Sequence, residues 1–229
     1  NKLTGKRYID DPAIMAWELA NEPRPMRPAA NGAYKKWVAD TAAFIRSKDK
    51  YHLVTAGTEG WIGLQDVELY EQINAGRNID YLTIHIWPKN WTWFTGDKLA
   101  DGFQNILTET DKYIAENVAV AKTLDKPLII EEFGLPRDDI KFDAASSTTY
   151  RDKYYAHVLS FIGNEYIPGA NFWAFGGAVR PIAGQTFGKT GDQYLGDPPM
   201  EEQGLNTVYD TDRSTWKVIT KTVATINAK

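Results

Sequence analysis

Five short apolar runs lead into groups that can move protons or grip polar rings. Run 14–19 passes into Asn21-Glu22-Pro23, and run 52–56 into Thr58-Glu59-Gly60-Trp61. Run 81–86 closes on His85-Ile86-Trp87-Pro88, run 128–130 on Glu131-Glu132-Phe133-Gly134, and run 169–175 on Asn171-Phe172-Trp173. Carboxyls, an imidazole and several indoles gathered at one set of strand ends suit glycoside hydrolysis. In that chemistry two carboxyl groups flank the scissile bond, and aromatic faces stack on sugar rings.

Such groups converge only if the runs are neighbouring strands. Each run is near strand length and apolar on both faces, the pattern of parallel strands covered by helices. Helical stripes lie between them: Tyr34, Trp37, Val38, Thr41 and Ile45; Phe103, Ile106, Thr110, Tyr113, Asn117 and Ala121; Tyr150, Tyr154, Val158 and Phe161; Trp216, Ile219, Val223 and Ile226. Segments 146–149 and 211–214 supply N-cap candidates for the last two. This βα alternation is α/β. The first strand is not followed by a glycine-rich phosphate loop, which argues against a dinucleotide-binding sheet. A (β/α)8 TIM barrel is the expected architecture, with its chemistry at the carboxyl ends of the strands. Only about five of its eight strand–helix units are countable, and no linker marks a second domain.

Composition narrows the partners. The 229 residues are 43% hydrophobic and 24% charged, enough for one large core. A formal charge of −4 without a basic cluster excludes nucleic acid as an expected partner. There is no cysteine, hence no thiolate chemistry or disulfide framework. No apolar run is long enough to span a membrane. Neither an HExxH pair nor a calcium-loop pattern occurs, so no metal or cofactor is expected. Trp17, Trp37 and Trp216 sit in core-patterned segments. Trp61, Trp87, Trp91, Trp93 and Trp173 sit at run ends, where a site role is expected.

Strand parity sorts the carboxylates. Leu128, Ile130 and Glu132 share a side, as do Thr83 and His85, and as do Glu18, Ala20 and Glu22. Asn21 falls on the opposite side and needs a local twist to reach a cleft. Glu18 reads as a buried structural carboxylate, Glu131 as an orienting group, and His52 and His157 as structural. Glu59 divides between substrate contact and loop capping, Trp91 and Trp93 between cleft walls and packing under their own loop, and Arg180 between a subsite and solvent.

WELANEPR at 17–24 and IIEEFG at 129–134 resemble the fourth- and seventh-strand motifs of glycoside hydrolase family 5, the retaining (β/α)8 clan. TAGTEGW at 55–61, HIWPKNW at 85–91, FWAFGG at 172–177 and GDPPMEEQG at 196–204 resemble its endo-β-1,4-mannanases. The resemblance implies Glu22 as acid/base and Glu132 as nucleophile. It implies Asn21, Glu59, Trp61, His85, Trp87, Trp91 and Trp173 as sugar-binding residues along a cleft bordered by loops 88–100 and 176–206. His85 is expected to donate to Glu132, and Glu22 to titrate above an ordinary glutamate. The implied substrate is β-mannan, glucomannan or galactomannan, with a β-1,4-glucanase or a non-catalytic carbohydrate-binding barrel as alternatives. A secreted, periplasmic or cell-surface location is implied. By the same match residues 1–229 form one catalytic-domain portion, supplying about strands four to eight. The first three βα units, and the arginine they carry, are then expected in a missing N-terminal segment, in cis or as a separate chain.

Overall fold

The computed structural model describes residues 1–96 and 98–228; Asp97, within loop 88–100, lies outside the described residues. Among the described residues short strands and α-helices follow in the order β1 (Ala16–Glu18), α1 (Asn31–Lys48), β2 (Leu53–Thr55), α2 (Trp61–Leu64), α3 (Val67–Asn74), β3 (Leu82–Ile86), α4 (Leu99–Leu124), β4 (Leu128–Phe133), α5 (Thr149–Leu159), β5 (Gly169–Ala170), β6 (Phe175–Gly177), β7 (Val208–Tyr209) and α6 (Arg213–Asn227). β1 pairs with β2 and β6 with β7, both parallel, and the remaining strands follow the order β3-β4-β5.

The chain divides into two compact units. The first holds residues 1–85, 116–130 and 166–168; the second holds 86–115, 131–165 and 169–229. In the first, α1 packs on β2 and α3. Leu82, Ile84, Leu128 and Ile130 are fully buried. Each such side chain contributes about 1.5–3 kcal/mol by leaving water. Asp66 caps α3 by accepting the Leu69 amide at 3.0 Å, worth about 1 kcal/mol. Asp49 is buried and ties the loop after α1 together, accepting from Trp17 Nε1 at 2.7 Å and pairing with His52 Nδ1 at 2.6 Å. In the second unit α5 packs on α6, and Phe133 meets the ring of Tyr155 at 4.8 Å.

Several expectations need correction. Run 169–175 is two strands in different sheets, because residues 171–174 leave β5 and re-enter pairing as β6 beside β7. α2 and α3, too short and interrupted for a long periodic signal, were not expected. Trp37 is 37% exposed, since the buried line of α1 is Tyr34, Val38 and Ala42. Trp17 and Trp216 are half-buried, each with its indole N–H bonded. Glu18 is exposed rather than buried, at the end of a strand paired with β2. In segment 146–149 Thr148 makes no cap bond, but Ser147 Oγ accepts the Thr149 amide at 3.3 Å, sharing it with Asp138, which also accepts the Tyr150 amide; in segment 211–214 Asp212 makes no side-chain cap to α6.

Candidate active site

β1 and β2 run in register, Trp17 opposite Val54 and Glu18 opposite Thr55. Beyond Glu18 the strand ends, yet the chains stay together: Leu19 N–H donates to Thr55 O at 3.0 Å and Glu22 N–H to Gly57 O at 2.8 Å. Gly57 has φ +75°, and a Cβ there would collide with the Ala20 carbonyl and the Glu18 side chain. Glycine therefore permits both the left-handed turn and the close approach. Glu22 itself has φ +48°. Strand alternation stops four residues earlier, so this local backbone, not parity, sets the direction of its side chain.

That carboxylate meets an imidazole and a guanidinium. Its Oε1 lies 2.8 Å from Nδ1 of fully buried His85, and its Oε2 lies 3.5 Å from Arg24 Nη2. His85 is anchored in turn by its amide, which donates to Glu59 O at 3.2 Å. Arg24 also forms an ion pair with the buried carboxylate of Glu59. Burial pushes Glu22 up, but the bond to His85, the charge of His85 and Arg24 outweigh it, so Glu22 titrates below the ordinary value. This corrects the expectation of a raised Glu22. Burial and then the charge of Glu22 push Glu59 above its ordinary value. His85 has Glu22 as a hydrogen-bonding carboxylate. Glu59, expected to touch sugar, is 2% exposed and engaged by Arg24. Asn21 is exposed; Trp61 is half-buried and opens α2.

In the second unit Glu132 is half-buried on β4, followed by buried Phe133 and Gly134. Alternation also fails here: the buried residues of β4 are Leu128, Ile130 and Phe133. A Cβ on Gly134 would sit 2.7 Å from the Trp173 carbonyl, 2.8 Å from the Trp87 ring and 3.3 Å from Asn206 Cβ. Glycine thus lets Trp87, Trp173 and Asn206 close over the backbone two residues past Glu132. Trp173 N–H donates to Phe133 O at 2.8 Å. Trp91 and Trp93 pack edge-on with each other and with buried Tyr113, at 5.0, 5.1 and 6.2 Å between ring centres. Lys89, between Trp87 and Trp91, pairs with Glu202 at 3.0 Å.

Three residues of interest escaped the sequence reading. Arg24 stands two positions after Glu22, visible in WELANEPR but without an assigned partner. Tyr194 is exposed and its phenol is pushed up, by burial and then by the charges of Asp197 and Glu132. Asp197 is fully buried among hydrogen bonds that no local pattern announces. Arg180, by contrast, is committed to the fold, pairing with Asp210 at 2.5 Å and lying 4.7 Å over Tyr209.

The family profile described as "GH family 5 beta-mannosidase-like" matches residues 1–229. The chain belongs to this family. Its relatives agree: "Mannan endo-1,4-beta-mannosidase 2" of Oryza sativa subsp. japonica is 31% identical over 180 residues, covering 71% of this chain and 38% of the relative. A solved family 5 mannosidase from Rhizomucor miehei superposes with TM-score 0.85 at 30% identity, covering 100% of this chain and 55% of that one. The endo-1,4-beta-D-mannanase of Thermotoga petrophila, 22% identical, shares the fold with TM-score 0.69 over 98% of this chain and 60% of its own. This family 5 chain is therefore a partial (β/α)8 barrel, spanning 38% to 60% of the length of these three proteins.

Proposed function

We propose that the complete barrel containing this chain hydrolyses β-1,4-mannosidic bonds in mannan, glucomannan or galactomannan with retention at the anomeric carbon. The carrying observation is Glu22, bonded to buried His85, and Glu132, beside the Trp87–Gly134–Trp173 cluster, in a chain matched to the family along its whole length. Glu132 attacks the anomeric carbon and forms a glycosyl ester while the bond to the leaving oxygen breaks. Glu22 delivers a proton to that oxygen, then takes one from the water that cleaves the ester. His85 and Arg24 hold Glu22 below its ordinary value, which makes it the stronger acid towards the departing oxygen whenever it carries the proton. Trp173 floors the sugar, with Trp87 alongside. Asn21 faces the 2-hydroxyl, and Trp61, Trp91 and Glu59 through Arg24 extend or shape the cleft.

Residues 1–229 act as one portion of a single catalytic domain, with the remaining βα units completing the cleft. A polymeric substrate implies action outside the cell membrane. The relatives named as mannan endo-1,4-beta-mannosidases support mannan over β-1,4-glucan. Side-by-side hydrolysis of mannan and carboxymethylcellulose by the complete barrel tests this. The proposal expects a ladder of manno-oligosaccharides, abolished in Glu132→Ala; preference for carboxymethylcellulose, or full activity in that variant, rejects it.

A further inference from the structure

Residues 194–208 lie directly on the strand that follows Trp173. A Cβ on Gly196, at φ +103°, would collide with Ala174 Cβ, and one on Gly176 with Thr207 Cγ2. Asn206 O accepts the Ala174 amide at 3.3 Å, and Val208 N–H donates to Ala174 O at 2.7 Å. Arg151 donates to Thr207 O and Leu205 O from outside the segment, and Asp197 closes it from within. Asp197, with no solvent exposure, accepts the Gly204 amide at 2.8 Å, the Thr207 hydroxyl at 2.7 Å and the Asn206 amide at 3.2 Å. The same hydroxyl lies 2.9 Å from Leu195 O, so both ends of the loop meet at Asp197.

We propose that Asp197 is a positioning residue for the indole floor: by closing loop 197–207 it sets Asn206 against Gly134 and so fixes Trp173 and Trp87. Without Asp197 the amides of Gly204 and Asn206 would lose their acceptor, and an unsatisfied buried donor is costly enough to reshape a loop. Asp197→Asn keeps the volume but points an N–H₂ group at one of those donors. Asp197 does not touch sugar; it acts through Asn206 and the Ala174 backbone. Its sugar consequence rests on the mannan-hydrolase reading, whereas its geometry does not.

The test labels the complete barrel with 5-fluorotryptophan, each resonance assigned by a Trp→Phe variant. In Asp197→Asn the Trp173 and Trp87 fluorine resonances shift or broaden, while those of Trp17 and Trp37 stay in place. Titration of mannotetraose into the Glu132→Ala barrel then shows affinity reduced about 10-fold by the added Asp197→Asn. Unmoved Trp173 and Trp87 resonances overturn the proposal, as does a change spread equally over all four. If the parent barrel binds no mannotetraose, the mannan reading fails while the fluorine spectra still judge Asp197. Should Asp197→Asn not fold, Thr207→Val removes one donor and shows the same displacement in smaller measure.

Discussion

Glu22 and Glu132 end strands of similar character but are held in opposite ways. Glu22 lies four residues past β1 and is itself left-handed, and its oxygens meet His85 and Arg24, with Arg24 also pairing with buried Glu59. Glu132 remains in β4 and precedes a glycine over which Trp87 and Trp173 pack. In the proposed mechanism the first surroundings serve a proton and the second a sugar ring. An acid/base must change protonation twice per turnover and gains from neighbours that set its proton affinity. A nucleophile must meet one carbon in a fixed geometry, so rigid neighbours that hold the sugar in place serve it.

That division can be broken by substitution in the complete barrel. The largest effect is expected for Glu132→Ala and Glu22→Ala, each lowering kcat on mannan by about 10⁴-fold or more. Only Glu22→Ala should spare substrates whose leaving group needs no proton, such as an activated aryl mannoside. Equal losses on that substrate would erase the distinction between the two groups.

Trp173→Ala should come next, lowering kcat/KM by about 10²-fold through the lost sugar floor, with the pH profile unmoved. His85→Ala is its counterpart: it should displace the pH profile. Burial raises Glu22, and the contributions of His85 and Arg24 more than cancel that. Removing His85 therefore raises Glu22, and the alkaline limb of kcat/KM, set by loss of the protonated acid, moves to higher pH. Arg24→Ala shifts the same limb in the same direction by a smaller step, because Arg24 follows His85 among the causes. A shift to lower pH in either variant contradicts the assignment.

The smallest effect is on stability. Asp49 titrates below, and His52 above, their ordinary values: burial raises Asp49 but its hydrogen bonds outweigh it, and the bond to Asp49 raises His52. Asp49 thus stabilises above the unfolded carboxylate value, near 3.9, and this is lost as pH falls through its folded value. His52 stabilises below its unfolded value, near 6.5, and this is lost as pH rises through its folded value. Their joint contribution should peak between about pH 4 and 6.5, and Asp49→Ala should flatten it. Urea midpoints across pH check this, and an unchanged profile would refute the pairing.

Much of this was legible because the chemistry sits at strand ends, where apolar runs give way abruptly to polar groups. The helical stripes placed α1, α4, α5 and α6 closely, and the motifs drew attention to Glu22 and Glu132. Parity did less well. It is a rule for regular strands, whereas Glu22 lies in left-handed backbone and β4 changes its buried side between Ile130 and Phe133. The partner of His85 depends on how one loop turns at Gly57, and Asp197 works through amides seven and nine residues away. Neither relation has a spacing to read. Phe175 was absorbed into a longer apparent strand because run 169–175 is continuous in hydrophobicity, though not in pairing.

The central claim, that Glu132 forms the covalent bond, is tested most directly by trapping. The complete barrel, incubated with a 2-deoxy-2-fluoro mannosyl fluoride and digested, should yield one peptide heavier by one fluorosugar, with fragmentation placing it on Glu132. Label on Glu22 or another carboxylate, or hydrolysis of mannan with inversion and no label, would contradict the account.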